Sequence, residues 1–145
     1  MSALSDYLEN KLIDHVFRAQ PYSAPATLYF GLLTAAPSDT GGGTEVSGGS
    51  YARVAVTPSL ANFAGTQSAG STAASSGSSG TTSNNAVIAY PTPSAGWGTV
   101  THQGVYDAST GGNLLWHTPL GVSKTINTGD AVSFPIGATT FQIDN

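Results

Sequence analysis

Hydrophobic and polar positions alternate most clearly in the stretch from residue 96 to residue 117. Between Thr99 and Tyr106, small or polar residues alternate with larger ones at a period of roughly two, which is typical of a β-strand. A second strand is predicted at 111–117, and the residues around 107–113 are glycines and short polar side chains that favour tight turns. The pattern predicts an antiparallel hairpin against which the other strands of the chain are laid.

Residues 2–18 carry the helical periodicity of the chain. Ser2 can cap this helix, Asp6 suits its positive N-terminal end, and Pro21 pushes the residue before it out of the α region. Apolar side chains recur at every fourth position. They are Leu4, Leu8, Leu12 and Val16. Two roles remain open for this stripe: packing on the sheet of its own chain, or docking as an arm on a neighbouring subunit.

Six further short strands are indicated by apolar runs or alternation bounded by glycine, proline and asparagine. They cover 27–34, 51–57, 86–90, 120–126, 131–134 and 139–143. With the hairpin, this makes about eight strands, a number and spacing typical of β-sandwiches. We therefore predict a mainly β fold, a jelly-roll-like antiparallel β-sandwich with an N-terminal α-helix. The predicted division is a helical arm at 1–20 and a β-sandwich domain at 21–145.

A Gly/Ser-rich insertion at 65–85 interrupts the predicted sandwich. Apart from Gln67 it contains only glycine, serine, threonine, alanine and asparagine. This composition is typical of a flexible linker. The same small residues also permit close approach to other backbones, as at a symmetry axis or on a neighbouring subunit. Both interpretations stay open from the sequence.

The composition and charge of the chain argue against some classes of binding partner. The 145 residues are the length of one domain, and only 8% of them are charged, against about 25% in typical soluble domains. Such a weakly charged surface favours a chain that is packed within an assembly. The net charge is −4 with four lysines and arginines in total, too few cations for binding nucleic acid or anionic membranes.

The sequence offers little for catalysis or cofactors. It has no cysteine, and we expect neither a signal peptide nor a membrane span, because no basic leader or long apolar run is present. His102 and His117 can approach each other across the hairpin, and with Asp107 they offer metal-ligand chemistry, although packing or hydrogen-bonding roles are favoured for them. The acidic residues are scattered, and no nucleophile elbow, phosphate loop or dinucleotide fingerprint occurs. We predict a non-enzymatic protein without cofactor or metal.

Aromatic residues cluster in or beside the hairpin, at Trp97, Tyr106 and Trp116. In a sandwich such side chains fill the core or a subunit interface. Exposed tryptophan and tyrosine rings also stack on the apolar faces of sugars. The core or interface role is favoured, and glycan contact is the alternative.

Several stretches of the chain resemble a family of small bacteriophage proteins known as phage tail fibre proteins. These stretches are 4–10, 28–37, 49–54, 97–102, 112–116 and 127–132. The combination of Tyr-Ala-Arg-Val at 51–54 with Trp-Gly-Thr-Val-Thr-His at 97–102 is the most specific part of the resemblance. The insertion at 65–85 departs from the pattern, since similar chains have a shorter link there.

The resemblance implies a structural protein of the virion, made in the cytoplasm of the host bacterium, with no catalytic residues. We expect a surface-exposed tail fibre or tail-tip component that assembles as a homo-oligomer, with a trimer favoured, alongside other phage structural proteins. One alternative is a capsid decoration (cement) protein that stabilises the head. A second is a glycan-binding receptor module that contacts the host surface. The candidate oligomer or partner contacts are Leu4, Leu8, Leu12, Val16, Trp97 and Trp116.

Overall fold

The computed structural model describes residues 3–65 and 69–143, which form one short helix, ten strands and the loops between them. The helix α1 is Asp6–Phe17. The strands are β1 (Ala3–Leu4), β2 (Leu28–Ala35), β3 (Thr44–Glu45), β4 (Val54–Val56), β5 (Thr81–Ser83), β6 (Ile88–Ala89), β7 (Gly98–Tyr106), β8 (Leu114–Ile126), β9 (Ser133–Phe134) and β10 (Thr140–Gln142).

One antiparallel sheet dominates the fold. Its strand order is β1-β8-β7-β2-β3, and β4 pairs with the same edge of β2 as β3 does. Two antiparallel ribbons, β5 with β10 and β6 with β9, complete the strands of the described ranges. The prediction of a mainly β, antiparallel fold with a short helix is confirmed. The jelly-roll topology stays a prediction.

The predicted hairpin is present as β7 and β8, the two longest strands. β8 runs without interruption from Leu114 to Ile126, so the prediction of a separate strand at 120–126 is wrong. Pro119 lies inside β8 at an irregular part of the pairing: from Val100↔Lys124 to His102↔Pro119, β8 advances five positions while β7 advances two. A bulge of this kind accommodates a proline that donates no hydrogen bond, so the strand continues through it.

The helix begins later than its periodicity indicated. Ser5, with extended backbone angles, caps α1 by accepting a hydrogen bond from the amide of Leu8 at 3.3 Å. Leu4 lies in β1 and pairs with Trp116 of β8, so its assignment to the helical stripe is wrong. The extended backbone pairs with β8 here instead of continuing the helix. Ser2, the predicted cap, lies outside the described residues.

α1 packs on the sheet of its own chain through its first turns. Leu4, Leu8 and Leu115 are all buried and form a small core of their own, bordered by the half-buried Leu12 and Trp116. Of the two roles left open for the stripe, intramolecular packing therefore applies to its N-terminal part.

The main core lies between the large sheet and the two ribbons. Its members come from β2, β6, β7, β8, β10 and the loops that lead into them. They are Phe30, Leu32, Val46, Ile88, Tyr90, Trp97, Val100, Val105, Ile126 and Phe141. Most are aromatic or β-branched, in keeping with the residues that fit a pleated, buried surface.

The insertion at 65–85 is partly tied to the rest of the chain. Thr81–Ser83 forms β5 and pairs with β10, which the sequence did not predict. Asn85, which follows β5, holds the part of the insertion that precedes it: its side chain accepts from the amide of Gly70 and donates to the carbonyl of Ser71. Residues 66–68 lie outside the described residues. The small residues here are thus held in part by their own chain.

Two glycines face each other at the centre of the sheet, and an aromatic ring occupies the space that their missing side chains leave. Gly31 of β2 pairs with Gly104 of β7. A Cβ on Gly104 would lie 2.9 Å from the ring of Tyr106, and one on Gly31 would lie 3.0 Å from it. Only glycine at both positions allows the tyrosine ring to lie against the sheet.

We expect Gly104→Ala to destabilise the fold by about 1–3 kcal/mol, because the new methyl group would displace the Tyr106 ring from a packed site. Gly104 has no positive φ, so the effect would come from space alone. Urea unfolding followed by near-UV circular dichroism measures it. The matched control is Gly121→Ala in β8, where a Cβ meets no heavy atom within 4 Å. Equal effects of the two substitutions would contradict the packing argument.

Candidate functional site

The segment between β3 and β4 is fastened to the sheet by a tyrosine hydroxyl. β3 and β4 pair with different parts of β2 and leave the amide of Leu32 between them without a strand partner. The hydroxyl of Tyr51 accepts from this amide at 2.8 Å and donates to Oε1 of Glu45 at 2.8 Å. Burial, opposed by the Leu32 amide and reinforced by Glu45, raises the pKa of Tyr51. The hydroxyl therefore stays protonated and fills a gap in the backbone ladder.

Arg53 joins three separate segments in one network. Its Nε and Nη2 donate to the two carboxylate oxygens of Glu45 at 2.8 and 2.7 Å, a bidentate geometry. Its Nη1 donates to the carbonyls of Ala108 and Gly111 in the β7–β8 turn at 2.7 and 2.9 Å. The guanidinium carbon lies 3.5 Å from the centroid of the Tyr106 ring, a cation–π contact.

The two charged side chains of this network are largely shielded from water, Arg53 more than Glu45. The Arg53 side chain is only 6% exposed, and that of Glu45 is 28% exposed. Burial alone would lower the pKa of Arg53, but the hydrogen bonds and charge of Glu45 outweigh it, so the pKa of Arg53 is raised. The network is a clamp between β3, β4 and the hairpin turn, and we call it the Arg53 clamp (Glu45, Tyr51, Arg53 and Tyr106).

Trp97, one of the predicted contact residues, belongs to the interior of its own chain. It is 5% exposed, and its indole Nε1 donates to the carbonyl of Gly49 at 2.9 Å. Its ring meets that of Tyr51 edge-on with centroids 5.3 Å apart. Trp97 thus holds the loop before β4 against the core and supports the Arg53 clamp from behind.

The other predicted contact residues differ widely in exposure. Leu4 and Leu8 are each 8% exposed, and Leu12 and Trp116 are half-buried. Val16 is 67% exposed and is the one member of the predicted set that faces solvent. These exposures describe a single chain, so the role of the six residues in assembly stays a prediction.

Val16 has exposed apolar neighbours on the same side of the helix. Ile13 and Phe17 are 52% and 81% exposed, and the three residues have the i, i+3, i+4 spacing that places side chains together. We call them the helix-end patch (Ile13, Val16 and Phe17). The start of the predicted apolar stripe is therefore buried in the chain, whereas its end is exposed to solvent.

A second surface feature is a cleft of about 340 Å³ between the start of α1, the segment that follows the helix, β2 and the β7–β8 turn. It is lined by Tyr7, Tyr22 and Tyr29, which are all half-buried, and by Asp107. Burial, then the neighbouring Tyr7 and Asp107, raise the pKa of Tyr22. The amide of Tyr22 donates to Nδ1 of His15 at 3.2 Å, which fixes the segment on the helix. We call this site the tyrosine cleft (Tyr7, Tyr22, Tyr29 and Asp107).

The tyrosine cleft was missed by sequence reasoning, which placed aromatic surface chemistry at Trp97 and Trp116. Its residues come from four parts of the chain with no common motif. Only the sheet register, which puts Tyr29 opposite Tyr106 and thus beside Asp107, brings them together. A high tyrosine content near the N-terminus was the only available signal.

Comparison with known protein families gives a match over nearly the whole chain. The family model described as podophage GP4 fiber I protein gp80 matches residues 3–142. The chain belongs to this family. No curated protein matches the chain. The resemblance to phage tail fibre proteins is confirmed, and membership in a phage fibre family implies a component of the virion.

In this fiber I chain, the two motifs on which the resemblance chiefly rested, at 51–54 and 97–102, have structural roles. The first supplies Tyr51 and Arg53 to the Arg53 clamp, and the second supplies Trp97, which holds the loop behind it. Membership in a fibre family suggests a non-enzymatic role.

Two of the three residues considered for metal binding, His117 and Asp107, have partners within the fiber I chain. His117 Nε2 lies 3.1 Å from Oδ1 of Asp39, while the carboxylate of Asp107 accepts from the amide and side chain of Asn113, both at 2.7 Å. Within residues 3–65 and 69–143, no group of three histidine, cysteine or acidic side chains could hold a metal ion. In the same ranges, no helix is long and apolar enough to cross a membrane.

We expect Arg53→Ala to destabilise the fiber I chain by about 3 kcal/mol, at the lower end of the range for a broken buried pair because Glu45 retains some access to water. The change also removes two hydrogen bonds to the hairpin turn. Chemical unfolding provides the measurement. Arg18→Ala is the control, since Arg18 pairs with Asp14 at 2.8 Å on the surface and is 70% exposed, so its loss costs about 0.5 kcal/mol or less. A loss for Arg53→Ala as small as the control's would refute the clamp.

The stability of the chain depends on pH through His102. Burial, then the nearby His117, lower the pKa of His102 below its ordinary value. The unfolded chain, with a histidine pKa of about 6.5, therefore binds a proton that the folded chain resists, and stability falls as pH drops through about 6.5 and levels off below the folded pKa. We expect His102→Gln to lose less stability than the wild type between neutral pH and about pH 5. Thermal unfolding across this range measures the difference, and parallel pH profiles would contradict it.

Proposed function

We propose that this fiber I chain is a surface-exposed tail fibre or tail-tip component of the virion that works by assembly and not by catalysis. It forms a homo-oligomer, with a trimer as the expected form, and joins other phage structural proteins after synthesis in the host cytoplasm. Family membership over residues 3–142 supports the fibre role. The low charged fraction of 8% supports a surface that is largely covered by neighbours.

The observation that carries the assembly proposal is the helix-end patch. Ile13, Val16 and Phe17 present three large apolar side chains to water on one side of a helix whose other end is packed on the sheet. Full burial of such a side chain contributes about 1.5–3 kcal/mol. A second copy of this chain is the proposed partner, because in a closed ring of copies the helix-end patch of every subunit would be covered by a neighbour.

A capsid decoration protein is the alternative within the virion. The fibre family favours the tail, whereas nothing in the fold distinguishes the two locations. Electron microscopy of purified particles with a labelled antibody against this chain decides between them. Label at the tail supports the proposal, and label over the head overturns it in favour of decoration. Absence of the chain from denatured mature particles, measured by mass spectrometry, would remove both virion roles.

We expect Phe17→Ser to weaken self-association of the purified chain at least tenfold while leaving its unfolding midpoint within about 2 °C of wild type, because Phe17 is 81% exposed in one chain. Sedimentation equilibrium measures the mass against the 14.6 kDa of one chain. Val122→Ser is the matched control, since Val122 is 83% exposed on β8, outside the patch. A wild-type chain that stays monomeric at all concentrations, or an equal effect of both substitutions, would overturn the proposed surface.

A further inference from the structure

A cavity of about 410 Å³ lies between the large sheet and the segment that carries β9 and leads into β10. Its lining comes from β2, from β7, from β8 beyond Trp116, and from residues 131–134 and 138–140. None of the lining residues belongs to the Arg53 clamp, the helix-end patch or the tyrosine cleft. We call it the Gln103 cavity (Gln103, Thr139 and Lys124, with the apolar side chains around them).

Two buried polar atoms of the Gln103 cavity have no hydrogen-bond partner within the described residues. Gln103 is fully buried, and its Nε2 donates to the hydroxyl of Tyr90 at 3.4 Å, whereas its Oε1 has no partner. Thr139 is 3% exposed, and its amide donates to Oδ1 of Asn84 at 2.9 Å, whereas its hydroxyl has no partner. Because buried polar groups are almost always paired, these atoms indicate a ligand that offers both a donor and an acceptor.

The rest of the lining is largely apolar. Six large apolar side chains contribute to it, the first three buried and the others half-buried: Leu32, Val100, Ile126, Leu120, Val132 and Phe134. Water would satisfy the polar atoms but would leave these side chains wet. A peptide unit beside a branched apolar side chain meets both needs, because its N–H donates, its carbonyl accepts and the side chain fills the apolar part.

The backbone of β8 beside the cavity lacks a strand partner over four residues. The pairing with β7 passes from Lys124 to Pro119 and skips 120–123. On the other edge of β8, β1 pairs only with Trp116 and His117. Three of the four skipped residues line the cavity. An unpaired strand edge next to a pocket is typical of sites that receive an added strand, whose main chain gives affinity and whose side chains give specificity.

The charge at the cavity is positive. Lys124 is the one charged residue among those that line it. It is exposed, and it takes part in none of the ion pairs of the described residues. An acidic side chain on an incoming strand would therefore gain a partner, whereas a basic one would be repelled.

We propose that the Gln103 cavity receives an extended segment of another virion protein. The segment pairs with β8 at 120–123, donates a backbone N–H to Oε1 of Gln103, accepts from the hydroxyl of Thr139, and places an acidic side chain beside Lys124. This inference deepens the proposed assembly role and rests on it for the source of the segment. A second copy of the chain is the competing occupant.

The test selects random peptides of about ten residues, the upper end of common strand lengths, from an mRNA-displayed library on the purified full chain. We expect the enriched peptides to alternate apolar and polar residues and to carry an aspartate or glutamate. The most enriched peptide, made synthetically, is expected to shift the NMR signals of the 120–123 amides and of the Gln103 side-chain amide. A copy N-methylated on its strand-pairing amides is expected to bind about tenfold more weakly, because it lacks those donors.

Two substitutions probe the polar contacts by isothermal titration calorimetry. Thr139→Val is expected to weaken peptide binding about three- to tenfold without lowering the unfolding midpoint, because its hydroxyl has no partner in the chain. Lys124→Gln is expected to weaken binding about two- to fivefold at low salt. The matched controls are Thr99→Val and Lys11→Gln, which alter exposed residues outside the lining and are expected to bind as the wild type does.

Several results would overturn the proposed strand site. One is a selection that yields no peptide whose shifts map to 120–123 and Gln103, which would leave a cavity that holds water only. Another is an N-methylated copy that binds as well as its parent, or folded Thr139→Val and Lys124→Gln variants that both bind as the wild type does. The shifts and the N-methylated peptide keep the test decisive in the wild type if Thr139→Val fails to fold.

The self-association measurement separates the two occupants. Val122 lines the cavity, so Val122→Ser would weaken self-association if a second copy filled it, and that result would overturn a different protein as the source. We expect self-association to be unchanged. Because peptide binding is read in the isolated chain, its failure leaves the fibre proposal standing. Absence of the chain from mature particles would remove the fibre proposal without altering the measured peptide binding.

Discussion

The guanidinium of Arg53 is the point on which the fold of this chain depends. It lies on the Tyr106 ring, pairs with both oxygens of Glu45 and takes two carbonyls of the β7–β8 turn. Four of its five N–H donors thus have partners inside the protein, and these partners offset the desolvation penalty of a charged side chain that is only 6% exposed. A lysine could supply the charge but neither the planar fork nor the stacking face.

The clamp also explains why glycine is needed in the middle of a sheet. Glycine weakens a strand because it brings no side chain to pack and loses more backbone entropy on folding. At Gly31 and Gly104 this loss is offset by the Tyr106 ring, which lies against both residues and carries the guanidinium above it. The Tyr-Ala-Arg-Val motif and the two glycines are therefore parts of one interaction, although they are far apart in the sequence.

The sequence predicted the parts of the fold that depend on local patterns. Alternation located the hairpin, and the helical stripe located α1, because both patterns report which side of an element is buried. Local rules failed where a distant partner decided the outcome: Leu4 extends because β8 offers it a strand partner, and Pro119 remains within β8 because a bulge absorbs it. The Arg53 clamp and the tyrosine cleft could not be derived at all, since each joins residues that only the sheet register brings together.

The helix α1 separates the tyrosine cleft at its start from the helix-end patch at its end. Tyr7, at the start of the helix, borders the tyrosine cleft, and Phe17, at its end, belongs to the helix-end patch. Ten residues at 1.5 Å of rise place them about 15 Å apart along the helix axis. An oligomer joined through the patch can therefore leave the cleft open to solvent on every subunit.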